Sequence, residues 1–170
     1  MISAFITASL WCGGAIGQLA PAEKLQVSAS IMAGSGMSLA GMGGRTYATR
    51  SPVFLLGEVA VAHPQLQWLE FAPALAFEVE GRVGVGLIPK IRARLGGKRV
   101  RVWGLLGLPV FFAPYSLVGI QGGAGLSLAL HPRFALVAEF TGTGFVWGSD
   151  LMSGSALAKL DQHFGVRVNF

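Results

Sequence analysis

The segment Phe164-Gly-Val-Arg-Val-Asn-Phe170 has two unlike faces when it is read as an extended strand. Phe164, Val166, Val168 and Phe170 fall on one side, and Gly165, Arg167 and Asn169 fall on the other. Side chains alternate across a strand with period two, so one face is apolar and the other is small or polar. Such a strand suits a wall with grease on one side and room for a guanidinium on the other. Whether the whole chain builds that wall depends on whether the alternation recurs.

It recurs in segment after segment. In 69–80, Leu69, Phe71, Pro73, Leu75, Phe77 and Val79 oppose Glu70, Ala72, Ala74, Ala76, Glu78 and Glu80. In 83–95, Val83, Val85, Leu87, Pro89, Ile91, Ala93 and Leu95 oppose Gly84, Gly86, Ile88, Lys90, Arg92 and Arg94. In 99–112, Val100, Val102, Leu106, Leu108, Val110 and Phe112 oppose Arg99 and Arg101, then Trp103, Leu105 and Gly107. Glu139 shares its face with Ala135, Val137, Thr141 and Thr143, while Phe134, Leu136, Ala138 and Phe140 face away.

Composition agrees with a chain that meets lipid. The 170 residues are 52% hydrophobic and 12% charged, with 25 Gly; a typical soluble domain carries about 25% charged residues. The rival reading is a transmembrane helix over 102–132, which contains no charged residue and is long enough to span. That stretch also holds Pro109, Pro114 and Gly104, Gly107, Gly119, Gly122, Gly123 and Gly125. Such a density of prolines and glycines breaks a continuous helix. Strands are therefore expected.

Turn signals at His63-Pro64, Gly96-Gly97 and His131-Pro132 punctuate the chain at near-even spacing. Each interval holds two strands of roughly ten residues, the length of a tilted membrane strand. Eight strands are predicted, near 24–35, 52–62, 66–79, 83–95, 99–112, 116–130, 133–146 and 158–170. Three tight turns then share one end with the chain termini, and the longest loops, 36–51 and 147–157, lie at the other. Lipid cannot hydrogen-bond an open sheet edge, so the strands must close. The expected fold is all-β, an eight-stranded antiparallel up-and-down transmembrane β-barrel over 23–170. A soluble barrel would put its apolar face inside; here the charged face is the crowded interior.

Residues 2–22 carry no charge and end in small residues, as in the apolar and cleavage regions of a secretory signal peptide. Cleavage is expected after Gly17 or after Ala22, although no Lys or Arg precedes the apolar run. Cys12 is the only cysteine, so no disulfide framework forms within one chain. The bulky Trp11 before it makes a poor lipoprotein signal.

The pattern resembles the OmpA/OmpX-like family of small outer-membrane barrels over nearly all of 23–170. Its most specific parts are the glycine-rich strand, turn and Glu-bearing strand from Gly122 to Phe140, and the ending Gly165 to Phe170. The resemblance implies a barrel alone, with no peptidoglycan-binding domain, in the bacterial outer membrane, monomeric and without a cofactor. It further implies that Phe164, Val166, Val168 and Phe170 form the signal read by the barrel-assembly machinery. Outer-membrane lipid and lipopolysaccharide are the other expected partners.

The lumen charges are the candidate site. Glu58, Glu70, Glu78 and Glu139 are expected to point inward, with Lys90, Arg92, Arg94, Arg101 and Arg167. Buried charges must be paired and hydrogen-bonded, so these residues are expected to form a Glu/Arg network that plugs the lumen. The resemblance points the same way, to the interior ion-pair cluster of that family. Filled interiors are the rule at this barrel size, which favours a plug over a gate that opens a narrow pore. The biological role expected is structural or loop-mediated interaction.

Some small barrels modify lipids, as hydrolases or acyltransferases, so a catalytic set is the rival reading. His63 and His131 precede prolines in turns; His163 shares a strand face with Asp161, near Ser149, Ser153 and Ser155. A nucleophile needs a base within reach and an acid to orient it, and no nucleophile motif stands out, so no enzyme is expected. No Cys cluster or His pair has metal-ligand spacing, and Gly96-Gly-Lys-Arg99 lacks the Ser/Thr of a phosphate loop. The net charge is +5, yet the basic residues sit within apolar strands rather than in a polar run, which argues against nucleic acid. Trp68, Trp103, Trp147, Tyr47 and Tyr115 are candidates for interfacial girdles, with a lumen position as the alternative for Trp103.

Overall fold

The computed structural model describes residues 25–170 apart from 81–82, 98, 150 and 152–154. The expected leader over 1–22, with its cleavage sites and Cys12, lies outside the described residues. Twelve strand segments follow one another: β1 (Gln26–Met42), β2 (Arg45–Arg50), β3 (Phe54–Ala62), β4 (Leu69–Phe71), β5 (Ala74–Glu78), β6 (Gly84–Ile88), β7 (Lys90–Gly96), β8 (Val100–Gly107), β9 (Val110–Ala113), β10 (Leu117–His131), β11 (Phe134–Gly148) and β12 (Ala156–Asn169).

These twelve segments make eight staves. Prolines divide four of them: Pro52 between β2 and β3, Pro73 between β4 and β5, Pro89 between β6 and β7, and Pro109 between β8 and β9. Proline has no amide hydrogen to give to a ladder, so regular pairing lapses there. The carbonyls still accept, from Val59 to Pro73, Leu108 to Pro89 and Gly119 to Pro109, at 2.9–3.2 Å. Every stave pairs antiparallel with its chain neighbours, and β1 pairs with β12 from Ser28↔Asn169 to Gly41↔Ala156. The sheet is therefore closed, as lipid requires.

The seam between β1 and β12 depends on glycine. A Cβ on Gly165 would collide with the Ile31 carbonyl oxygen, and one on Gly34 with that of Gln162. Only a residue without a side chain allows the first and last staves to come this close.

At the end that carries the termini, turns are short. His63 caps a 3₁₀ turn over Pro64–Leu66, Gly96 adopts φ +112°, and Pro132 and Arg133 join β10 to β11. At the other end the expected loop over 36–51 is instead a hairpin. β1 runs on to Met42, turns at Gly43 and Gly44 with φ +58° and +78°, and returns as β2. The reason is that backbone pairing from Met37↔Arg50 to Met42↔Arg45 needs no apolar alternation, and this segment carries almost none. No described helix is long and apolar enough to cross a membrane; 102–132 is built of β8, β9 and β10.

The outer face carries the large apolar side chains. Ile31, Leu55, Phe71, Phe77, Leu106 and Phe140 are all exposed to the surroundings of the barrel. Trp68 and Trp147 are exposed near opposite ends, as interfacial girdles place them. Trp103 is buried inside, as is an apolar tier of Met32, Leu56, Ile88 and Leu105. The interior is thus part ionic and part apolar, less uniformly polar than the charge alternation suggests.

Candidate functional site: the lumen ion cluster

Four charged side chains meet across the centre of the barrel. Glu58 comes from β3, Lys90 and Arg92 from β7, and Glu139 from β11, so the cluster bridges separated staves. Arg92 donates from Nη1 to Glu58 Oε1 at 2.5 Å and from Nη2 to Glu58 Oε2 at 2.6 Å. Its Nη2 also donates to Glu139 Oε2 at 2.5 Å. Lys90 Nζ closes the ring, 2.7 Å from Glu58 Oε2 and 2.8 Å from Glu139 Oε1. All four side chains are 1% exposed.

Two cations and two carboxylates leave this level neutral, with each cation bound to both acids. Neutrality and full hydrogen bonding are what allow charge to persist away from water. Ser30 adds a hydroxyl bond to Glu58 Oε1 at 3.1 Å. The Trp103 ring lies 4.9 Å from the Arg92 guanidinium carbon, within cation–π range, and forms an apolar floor to the cluster. Arg92 Nε and Trp103 Nε1 lack a hydrogen-bond partner among the described residues.

A second, smaller group lies toward the terminus end. Arg167 donates from Nη2 to Glu70 Oε1 and from Nε to Ser28 Oγ at 2.9 Å. Arg94 approaches Glu70 Oε2 at 3.7 Å but hydrogen-bonds the Gln67 carbonyl, at 2.5 Å from Nη2.

Of the nine lumen residues named from the sequence, seven fall in these two groups. Glu78 shares the inward face but sits at the outer end, lining a mouth pocket with Lys159, Phe54 and Phe111. Arg101 is half-buried, with no ion pair to a described residue. Sequence reading missed Ser28 and Ser30 as partners, although their period-two spacing on β1 was visible. It also missed Lys159, whose ammonium stands 4.2 Å from the Phe54 ring centre. Phe164, Val166 and Phe170 of the expected assembly signal are exposed on the outer face, with Val168 half-buried beside them.

Among the described residues the Ser/His/Asp arrangement is not assembled. His163 is buried and pairs in register with Glu139. Ser149 follows the end of β11, about ten residues beyond Glu139 and roughly 33 Å away at strand rise. Ser155 precedes β12 and is separated from His163 by about 26 Å on the same scale. Ser153 lies outside the described residues.

A closed antiparallel barrel with an apolar outside and an ionic core is the fold seen in solved small β-barrels of the OmpA/OmpX-like type. Three solved structures share this fold. The N-terminal β-barrel domain of OprF from Pseudomonas aeruginosa matches with a TM-score of 0.52 at 14% identity, over 84% of this chain and 97% of that one. Ail, the attachment invasion locus protein of Yersinia pestis, matches at 0.51 and 15% identity, over 87% and 100%. Neisserial surface protein A matches at 0.51 and 12% identity, over 86% and 97%. No protein-family model matches the sequence, and no curated protein matches it at a significant level.

Proposed function

We propose that this chain is an integral protein of the bacterial outer membrane with a structural or loop-mediated interaction role, its lumen closed by the Glu58–Lys90–Arg92–Glu139 cluster. One observation carries the reading: the cluster is neutral, dry and hydrogen-bonded across the barrel. An open water path would instead leave these side chains solvated. The outer lipid and lipopolysaccharide are the partners of the apolar face. The 164–170 strand serves as the assembly signal.

A gate is the second reading, and it rests on a specific feature. Lys90 and Arg92 each bind both carboxylates, so a partner exchange would keep every charge paired while moving side chains aside. Single-channel recording in planar bilayers separates the two readings. Silence with folded protein inserted supports the plug; stable openings refute it and support the gate. Among the described residues, catalysis has no comparable geometry in its favour.

A further inference from the structure

Charge in the lumen is balanced at the centre but not at the terminus end. There Glu70 is the acidic residue of the ion-paired groups, and it is engaged by Arg167 with Arg94 nearby. Arg99 and Arg101 follow, with no side-chain hydrogen bond or ion pair to a described residue. Both line a cavity of about 650 Å³ that opens at this mouth, together with Arg167, Ser127, His131 and Asn169. Arg101 and Ser127 are register partners on β8 and β10, which holds them side by side. His131 Nδ1 accepts from the Arg133 amide at 3.3 Å, so Nε2 is left to donate. Arg101 also borders an adjoining cavity shared with Arg94. No acidic residue is among the described lining of either.

We propose that this mouth binds a small, multiply charged oxyanion of the phosphate class, with Arg99 and Arg101 as its principal ligands. A guanidinium presents a planar fork that fits two phosphate oxygens at once. Cations gathered in a concave wall of low dielectric also focus their field on whatever enters. The central cluster offers no such site, because its cations are already neutralised by Glu58 and Glu139. The Ser127, Ala135 and Arg167 walls of the cavity belong to the buried inward face, which commits the site to a soluble anion such as a pyrophosphate or phosphate monoester. A lipid headgroup carries the same chemistry and is the competing source.

The test is calorimetric titration of pyrophosphate into the folded full chain in neutral detergent. Binding is expected to weaken with rising salt, and by about tenfold in Arg101→Gln, the loss of roughly one charge-assisted bidentate contact. Arg101→Lys keeps the charge without the fork and is expected to fall between. Arg45→Gln, at the opposite tip, is expected to bind as the wild type does. Arg99 is exposed at a turn, so Arg99→Gln carries the test if Arg101→Gln fails to show folded gel mobility. Absence of binding by the wild type, or equal affinity in Arg99→Gln and wild type, overturns the proposal. Repeating the titration in bilayer discs of phosphatidylcholine, with and without phosphatidylglycerol, separates the sources. Unchanged affinity supports the soluble anion, and lost binding in the anionic disc overturns it in favour of a lipid headgroup.

Discussion

Replacing Glu139 with Gln removes one of the two negative charges from the central cluster while keeping the shape of the side chain. Glu139 accepts from Lys90 at 2.8 Å and from Arg92 at 2.5 Å, using both carboxylate oxygens. Glutamine retains one carbonyl acceptor but turns the other position into a donor, facing a cation. Two cations then share Glu58, and a level that was neutral becomes positive in a place that is 1% exposed. Breaking a buried pair costs about 3–5 kcal/mol, and the remaining carbonyl puts the expected loss at the lower end, about 3 kcal/mol. With a denaturant slope of ~2 kcal/mol per molar, the urea midpoint should fall by about 1.5 M. Gel mobility of unboiled samples across a urea series reads the folded fraction directly. Adding Lys90→Met restores neutrality, leaving Arg92 with Glu58, and should recover more than half of the loss. An unchanged midpoint in the single variant would refute the reasoning, because it would mean that the carboxylate is solvated and the lumen wet.

Gly165→Ala is expected to prevent closure between β1 and β12, seen as loss of the faster unboiled band; Gly57→Ala, with nothing within 4 Å of its Cβ, should leave the band intact. Leu106→Arg places a charge on an outward position that is 62% exposed, and should lower unfolding stability in bilayers by about 2–4 kcal/mol if it lies near the midplane. The same substitution having no effect would count against lipid on that face. Phe170→Ala removes a side chain that is 82% exposed, so detergent refolding should be unchanged while yield in the outer-membrane fraction falls. Equal yields in cells would remove the assembly role of that residue.

Period two told which face a residue occupies, and it told nothing about height. Glu58, Glu78 and Glu139 all obey the alternation, yet only Glu58 and Glu139 share a level with Lys90 and Arg92. Level depends on the tilt and stagger of closed staves, which is a property of the whole barrel and not of one strand. The same limit explains Trp103: its inward phase was legible, but its seat against Arg92 depends on how β7 and β8 register. The 36–51 hairpin escaped notice for a different reason. Its ladder is held by backbone bonds between polar and small residues, so the usual apolar signature is absent. The inward phase of the charges, by contrast, was legible, because a wall built to meet lipid tolerates no charge outside and turns mid-strand Glu, Lys and Arg inward.

The four proline breaks fall on consecutive staves, while β1, β10, β11 and β12 run unbroken. Pro73, Pro89 and Pro109 sit at nearly one height, since Ala72 bonds Lys90, and Leu108 bonds Pro89. Mechanically, the cylinder has a stiff half and a compliant half, with a line of missing amide donors running round the soft side. Lateral pressure from the bilayer would flatten such a tube along that line before the glycine seam gave way. Amides flanking 72–73, 88–90 and 108–109 should therefore exchange hydrogen sooner than those of β11, and uniform protection around the wall would contradict it. The ion cluster ties β7 to β3 and β11 from within, so it acts as a strut that keeps the compliant side from collapsing.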